Sequence, residues 1–359
     1  MTGLFQKTLQ GVPHDRPPVW FMRQAGRYHS HYQAIRKAHS FLDICRTPEI
    51  ACDVAMGPID DFDFDAAILF SDILFPIEAM GIDLDFSPGP VLSHLLRSPE
   101  DMDHYRPCAD FADFIGFQGE AIQKTRAALP KDKSLLGFIG GPLTLYIFAV
   151  EGTAQKVDFS ASLYGFIDGR FMGFMDRLLP MLWENLALQA DAGADTLAIL
   201  DSCAGLIPED LYVNTYLPIL NTLIDKFQAT HPHVPILYYG KDIGPRHWGQ
   251  LPLSKLAALG IDHSQDLPLA LSSLPQASNI PQTSSPLAVQ GNFPPMYMSL
   301  PPDEFAIKFQ AFLDTILALP AADTQRWICG LGHGITPMAI EENVRTFVQG
   351  VQDIRLPQP

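Results

Sequence analysis

Two arginines near the start of the chain, Arg23 and Arg27, are the side chains best suited to hold an anion. They follow an apolar run, residues 19–22, that we predict as a short buried strand, and Gly26 between them permits a tight turn. A guanidinium presents a planar fork of donors that matches a carboxylate or a phosphate. A surface ion-pair site is the alternative, but the position after a buried strand favours an anion-binding loop.

Three further polar residues each come shortly after a predicted strand. Asp72 follows the apolar run 66–70, and its carboxylate can accept from a nearby arginine or face N–H donors or a developing cation. Ser202 has no histidine or aspartate at triad spacing, so we predict that it orients a ligand and is not a nucleophile. His333 lies between two glycines, which let the backbone approach a ligand, and a structural role for it stays open.

The cysteines and histidines show no spacing typical of a metal site. The five cysteines are an odd number at wide spacings without a CxxC pair, which predicts a reduced, cytoplasmic protein. Cys203, Cys329, His263 and His333 could converge as zinc ligands, but Cys329 lies inside a predicted strand and is expected to face the core. We therefore predict no metal.

Eight short apolar runs, which we predict as strands, alternate with helical patterns along the chain. Several are continuous rather than alternating, as in parallel strands covered on both faces. The predicted strands are residues 19–22, 66–70, 135–139, 196–200, 236–239, 260–263, 287–289 and 327–331. The predicted helices are residues 47–61, 111–129, 171–192, 208–230, 245–259, 302–318 and 337–351, with one more beginning at Ser98.

Eight such units in 359 residues predict an α/β fold, a single (β/α)8 TIM barrel over residues 1–359. The active-site cleft of such a barrel lies at the C-terminal ends of the strands, where the polar residues above are found. A doubly wound open sheet is the alternative, although no GxGxxG motif follows the first predicted strand. The polar segment 277–285 is predicted to be a connection.

Composition limits the partners of the chain. The formal net charge of −16 argues against a general nucleic-acid surface, so arginines that hold an anion must be concentrated locally. No apolar run approaches the ~18 residues of a bilayer span, and we expect no membrane insertion. Charged residues make up 18% of the chain and hydrophobic residues 47%, which predicts a large folded core.

Four blocks of sequence carry a resemblance to a known family. They are residues 22–28 (MRQAGRY), 66–74 (AAILFSDIL), 137–152 (GFIGGP at the start, VEG at the end) and 330–334 (GLGHG). In order and spacing they resemble the uroporphyrinogen decarboxylases over residues 9–351. The resemblance implies a single (β/α)8 barrel that forms a homodimer and uses neither metal nor organic cofactor.

The implied activity is that of a carboxy-lyase in porphyrin and haem biosynthesis. Such an enzyme removes the four acetate carboxyls of uroporphyrinogen III to give coproporphyrinogen III, so a tetrapyrrole polycarboxylate is the implied partner. By matching motifs, Arg23 and Arg27 would bind substrate carboxylates, and Asp72 would face the pyrrole N–H groups at the ring centre. The resemblance makes these three residues the catalytic ones.

The resemblance also implies a set of substrate-binding residues. These would shape the pocket, lie against the macrocycle or contact its propionate and acetate groups, and they are Gln24, Phe138, Phe148, Ser202 and His333.

Several positions depart from the family pattern. Phe148 stands where a tyrosine is usual, and Tyr146 could substitute for it if the loop is rearranged. Pro294 replaces an acid, and His29 and His31 occupy what reads as an exposed loop. Two alternatives therefore stay open: a paralogue such as a zinc-dependent, corrinoid-type methyltransferase of the same superfamily, and a non-catalytic tetrapyrrole binder.

Overall fold

A curled, seven-stranded parallel sheet organises the protein, whose computed structural model describes residues 3–86, 89–153, 158–275 and 286–357. The order in the sheet is β1-β4-β5-β6-β7-β8-β9, and β2 pairs with β3 in a separate antiparallel hairpin. The strands are β1 Ala66–Ile68, β2 Leu84–Phe86, β3 Pro90–Leu92, β4 Ser134–Gly140, β5 Thr196–Asp201, β6 Ile236–Gly240, β7 Ala258–Gly260, β8 Ala288–Phe293 and β9 Trp327–Leu331.

Helices pack around this sheet, and its strands are buried along their whole length. The α-helices are α1 Leu4–Leu9, α2 Ser30–Ala38, α3 Phe41–Arg46, α4 Pro48–Phe62, α5 Phe75–Ala79, α6 Phe111–Phe114, α7 Gly116–Ala128, α8 Pro142–Glu151, α9 Ser160–Tyr164, α10 Arg170–Asp191, α11 Glu209–Leu211, α12 Leu217–Thr230, α13 Pro245–Trp248, α14 Leu267–Ser273, α15 Pro302–Leu317, α16 Ala321–Thr324 and α17 Glu341–Gln352. Shorter turns of 3-10 helix are Pro99–Asp103, Ala204–Leu206, Leu253–Lys255 and Pro295–Ser299, and Tyr212–Tyr216 is a π-helical turn.

The first predicted strand, residues 19–22, forms a single bridge from Val19 to Cys329. The Cys329 amide donates to Pro18 O at 2.9 Å, and the Trp20 amide donates to Cys329 O at 3.2 Å. On the other side, the Asp65 amide donates to Val19 O at 3.0 Å. Pairing stops there because residues 21–24 form a turn, in which the Gln24 amide donates to Phe21 O at 3.1 Å, so the sheet has seven strands where the sequence predicts eight.

Three other predictions need correction. The predicted helix 245–259 ends at Trp248, because Pro252 interrupts it and residues 258–260 are buried as β7. The predicted strand 260–263 is the end of β7 and the loop after it, whereas β8 runs four residues beyond the predicted 287–289. The predicted connection 277–285 lies outside the described residues.

All five cysteines lie within the described ranges, and none is joined in a disulfide. Within those ranges, no helix combines the length and the apolar character that a membrane span requires.

Candidate functional site

A cavity of about 360 Å³ opens at the C-terminal ends of β1, β4 and β5. Five of the eight residues singled out from the sequence line it, and they are Arg23, Arg27, Asp72, Phe138 and Ser202. Its other walls are largely apolar. They come from the end of β1, from the β2–β3 hairpin and from residues 335 and 337. The strand ends, where the sequence predicts the site, therefore hold cationic, acidic and aromatic side chains in one cleft.

A tight loop, residues 21–29, joins the segment 18–20 that pairs with β9 to helix α2, and it positions Arg23 and Arg27. Arg23 adopts a left-handed backbone (φ 63°), and a side chain on Gly26 would place its Cβ 2.9 Å from Arg23 O. The Tyr28 hydroxyl donates to Gln24 O at 2.7 Å and closes the turn. The conformation of the loop thus depends on the glycine that the sequence places between the arginines.

Gln24 anchors this loop to the sheet rather than lining the cavity. Its side chain is 1% exposed, its Oε1 accepts from the Phe21 amide at 3.2 Å and its Nε2 donates to Ala66 O at 2.9 Å. Through these two bonds the Gln24 side chain links Phe21 in the loop to Ala66, the first residue of β1. Gln24 therefore shapes the site by holding the backbone from which Arg23 projects.

The cavity contains a third arginine that the sequence analysis missed. Arg36 lines it together with Tyr32, one helical turn earlier on α2. Arg23 and Arg27 are exposed, and their side chains make no ion pair or hydrogen bond with any part of the chain that the structure describes. The four-residue spacing of Tyr32 and Arg36 was a usable signal, but α2 itself was not predicted.

Asp72 lies partly exposed on the cavity wall but is densely surrounded by protein. Its Oδ1 accepts from the Leu74 amide at 2.9 Å. Burial raises the pKa of Asp72 to about 6, although the Leu74 amide and the Arg23 guanidinium both act to lower it. The carboxyl is therefore ionised at neutral pH and still able to accept N–H donors.

Phe138 and Ser202 stand at the ends of β4 and β5. Phe138 is 8% exposed and supplies a flat apolar wall. Ser202 follows Asp201, whose carboxylate accepts from the Thr144 and Tyr216 hydroxyls at 2.6 and 2.5 Å. These buried bonds fix the end of β5 and hence the backbone position of Ser202.

His333 does not line the cavity and lies behind Arg23. Its ring stacks on Tyr239 with centroids 6.0 Å apart, and Nδ1 is 3.1 Å from the Tyr239 hydroxyl. That hydroxyl donates to Gly332 O at 2.9 Å, which leaves its oxygen to accept from Nδ1–H. Burial and the neighbouring Arg23 lower the pKa of His333 to about 4, so the imidazole is neutral at pH 7.

Helix α8, which follows β4, does not supply a tyrosine to the cavity. Phe148 lies on α8, is half-buried against the core and is not among the cavity-lining residues. Tyr146 is fully buried, and its hydroxyl donates to Ser162 O at 3.0 Å. Tyr146 therefore cannot replace the missing phenol without unpacking the core.

The histidines after Tyr28 are not in an exposed loop. His29 is fully buried at the start of α2, and its Nε2 lies 2.7 Å from the Asp61 carboxylate. His31 lies 3.4 Å from the Asp53 carboxylate on α4. Both rings attach α2 to α4, and so they stabilise the helix that carries Arg36.

The cysteines and histidines considered as zinc ligands do not come together. Cys203 and Cys329 are buried, and burial raises the pKa of the Cys203 thiol to about 12. Among the described residues, the one group of three close metal-ligand side chains is His94, Asp101 and His104, away from the cavity-lining residues.

Comparisons with known proteins agree along the whole chain. The profile of the family described as "Uroporphyrinogen decarboxylase (URO-D)" matches residues 2–354. A uroporphyrinogen decarboxylase of Pelobacter propionicus is 35% identical over 98% of both chains, and one of Geobacter sulfurreducens is 34% identical over 98% of both. Among solved structures, a methyltransferase from Methanosarcina mazei superposes with a TM-score of 0.71 over 98% of this chain and 99% of its own, at 17% identity, which establishes similarity of fold alone.

Proposed function

The chain belongs to the uroporphyrinogen decarboxylase family, and from that premise we propose that it decarboxylates the four acetate side chains of uroporphyrinogen III to give coproporphyrinogen III. The observation that carries the proposal is the cavity in which Arg23, Arg27 and Arg36 meet Asp72 against apolar walls. Guanidiniums suit the carboxylates of the substrate, and the carboxyl suits its pyrrole N–H groups. This is the reaction of a carboxy-lyase in porphyrin biosynthesis.

The substrate can supply its own electron sink. When a pyrrole is protonated on a ring carbon, the bond between the acetate methylene and its carboxyl breaks, CO2 leaves and the electron pair enters the cationic ring. The methylene then takes up a proton to become a methyl group, and the ring carbon loses its proton. We propose that this chemistry needs no cofactor, and that ionised Asp72 stabilises the cationic ring in the low-dielectric cleft.

The remaining residues have distinct proposed roles. Arg23, Arg27 and Arg36 would hold the acetate and propionate carboxylates, while Phe138 packs against the macrocycle. Ser202 would orient a carboxylate by donating its hydroxyl proton. Gln24 and His333 would act behind Arg23, Gln24 by anchoring its backbone and His333 as a neutral ring beside its side chain, and Phe148 would pack beneath the site.

Three larger features belong to the same proposal. Segment 18–20 would be the eighth strand of a closed (β/α)8 barrel, supported by its hydrogen bonds to Cys329 and Asp65 at the two edges of the sheet. One catalytic domain would span the chain. By family resemblance the enzyme would be a cytoplasmic homodimer, and its five free cysteines are compatible with the reducing conditions of the cytoplasm.

Product analysis tests the activity directly. The purified protein is incubated with uroporphyrinogen under reducing conditions, and the products are separated by carboxyl number. We expect intermediates with seven to five carboxyls that converge on the four-carboxyl product. Tight binding of the substrate with no loss of carboxyl would overturn the proposal in favour of a non-catalytic tetrapyrrole binder.

A further inference from the structure

A second chemical site lies in the segment between β3 and α6, outside the decarboxylation cavity. His94, Asp101 and His104 each offer one ligand atom, and these three atoms all lie within 4.8 Å of one another. The two imidazole rings lie side by side with centroids 3.9 Å apart and planes tilted by 36°, and His94 Nε2 is 2.9 Å from Asp101 Oδ1. We propose that these three side chains bind a Zn²⁺ ion.

The donor set matches zinc in type and number. Two imidazole nitrogens and one carboxylate oxygen are ligands that Zn²⁺ accepts, with three protein ligands leaving a fourth position for water. Bonds of about 2.0–2.1 Å in a tetrahedron place neighbouring ligand atoms about 3.4 Å apart. The observed separations reach this geometry through small side-chain rotations, because His104 is exposed and His94 half-exposed.

The backbone arranges two of the ligands in advance. Asp101 lies within the 3-10 turn Pro99–Asp103, and the His104 amide donates to Asp101 O at 3.0 Å. Residues three apart lie on the same side of a 3-10 turn, so the side chains of Asp101 and His104 share one face. The Tyr105 hydroxyl donates to His94 O at 2.8 Å and holds the third ligand beside them.

A second layer of hydrogen bonds orients the carboxylate. Asp101 Oδ2 accepts from the amides of Ser98 and Arg97 at 2.7 and 2.9 Å, which leaves Oδ1 directed at His94. Such outer bonds fix the ligand oxygen for a metal. Glu100 and Asp103 in the same turn add negative charge, and the Arg97 guanidinium is engaged by Glu151 at 3.0 Å.

The expected effect of zinc is to stiffen the segment that holds α8. The Leu96 amide donates to Ala149 O on α8 at 2.9 Å, and the Tyr105 hydroxyl, whose shorter bond goes to His94 O, lies 3.2 Å from the same Ala149 oxygen. Zinc would therefore join the end of hairpin β2–β3 to the turn that contacts α8. The expected effect is on the stability of this segment, so the site does not depend on the proposed decarboxylation.

Metal binding by the intact protein tests the proposal. Apo-protein is titrated with Zn²⁺ in competition with a chromophoric chelator, for the wild type and for His104→Ala and His94→Gln. His233→Ala is the matched control, because His233 is also exposed and its side chain makes no hydrogen bond or ion pair within the described residues. We expect one zinc per chain in the wild type and control, and at least a roughly 10-fold weaker affinity in the other two, since even outer-layer changes cost that much.

Thermal unfolding gives a second readout that does not rely on activity. At zinc 100-fold above the wild-type Kd, the Tm should rise by roughly 3–4 °C in the wild type and control, and by about half of that or less in His104→Ala. His104 is exposed, so this variant is expected to fold. A wild type that takes up no stoichiometric zinc, or a His104→Ala protein that retains full affinity, overturns the site and leaves His94 and Asp101 as a simple ion pair.

Discussion

At the scale of single residues, Asp72 and Arg23 act on each other across the cavity wall. Burial raises the pKa of Asp72 to about 6, and Arg23 offsets part of that rise. The same arginine helps to lower the pKa of His333 to about 4. The site therefore combines an Asp72 carboxylate that is ionised at pH 7 with a His333 imidazole that is neutral at pH 7. A moderate fall in pH should change the charge of Asp72 first.

Replacing Asp72 with Asn tests its proposed electrostatic role. The amide keeps the shape of the side chain but cannot neutralise a cationic pyrrole, so kcat should fall about 10²–10³-fold with a smaller change in KM. Steady-state kinetics on uroporphyrinogen measure both constants. Asp303→Asn, an exposed change on α15, serves as the control and should behave as the wild type. A kcat within about twofold of the wild type in Asp72→Asn would contradict the role.

The pH profile provides an independent check on the same carboxyl. Since Asp72 has a pKa of about 6 and is active when ionised, kcat/KM should fall about tenfold per pH unit below 6. The measurement is a set of initial rates between pH 5 and 8. If residual activity in Asp72→Asn shows the same acidic limb, the limb belongs to another group.

Stability should change with pH in the opposite sense to activity. The folded pKa of Asp72 lies above its ordinary value of 3.8, so the native state loses stability as pH rises from about 4 to 6. Asp72→Asn lacks this penalty and should unfold about 1–3 °C higher than the wild type at pH 7.5. The difference should shrink as pH falls towards 4, and a gap that is constant across this range would contradict the assigned titration.

At the scale of elements, long apolar runs were predictable and short connecting pieces were not. The run at residues 327–331 became β9 with the predicted bounds, because a strand buried on both faces needs continuous apolar sequence. Helix α2 is nine residues long and carries one buried residue, Tyr32, so few apolar positions mark it in the sequence. Arg36 was missed for that reason. The strand predicted at residues 19–22 was too long, because the turn at Arg23 depends on contacts with residues that are distant in the sequence.

The anchoring of the arginine loop shows such a distant contact. Gln24 and Ala66 are 42 positions apart, and nothing in their spacing signals the bond between them. Gln24→Ala would leave the Phe21 amide and Ala66 carbonyl without these partners, so we expect a loss of about 1–3 kcal/mol in the free energy of unfolding.

The same variant should impair substrate binding, because Arg23 projects from the loosened loop. We expect KM to rise about tenfold. Denaturant unfolding and steady-state kinetics measure the two effects, with exposed Gln310→Ala as the control. Wild-type KM in a destabilised Gln24→Ala protein would show that the anchor serves stability alone.

At the scale of the whole molecule, a net charge of −16 opposes the approach of a polyanionic substrate. The three cavity arginines attract the substrate at contact distance. Added salt should strengthen binding if the repulsion dominates and weaken it if the attraction dominates. Screening acts over about 8 Å at physiological ionic strength, so added salt weakens long-range repulsion as well as the exposed contacts of Arg23 and Arg27. The sign of the salt effect therefore reveals which of the two governs binding.

We expect the local arginines to dominate, because contacts within the cavity are closer to the substrate than most of the surface charge. KM should then rise about threefold or more between 0.05 and 0.5 M salt. Arg27→Gln should raise KM at low salt and flatten its dependence on salt. Lys131→Gln alters the net charge equally, but Lys131 is exposed just before β4, at the end of the sheet opposite the cavity, and should leave the salt dependence unchanged. A KM that falls with salt, or equal effects of the two substitutions, would mean that the charge of the whole molecule controls binding.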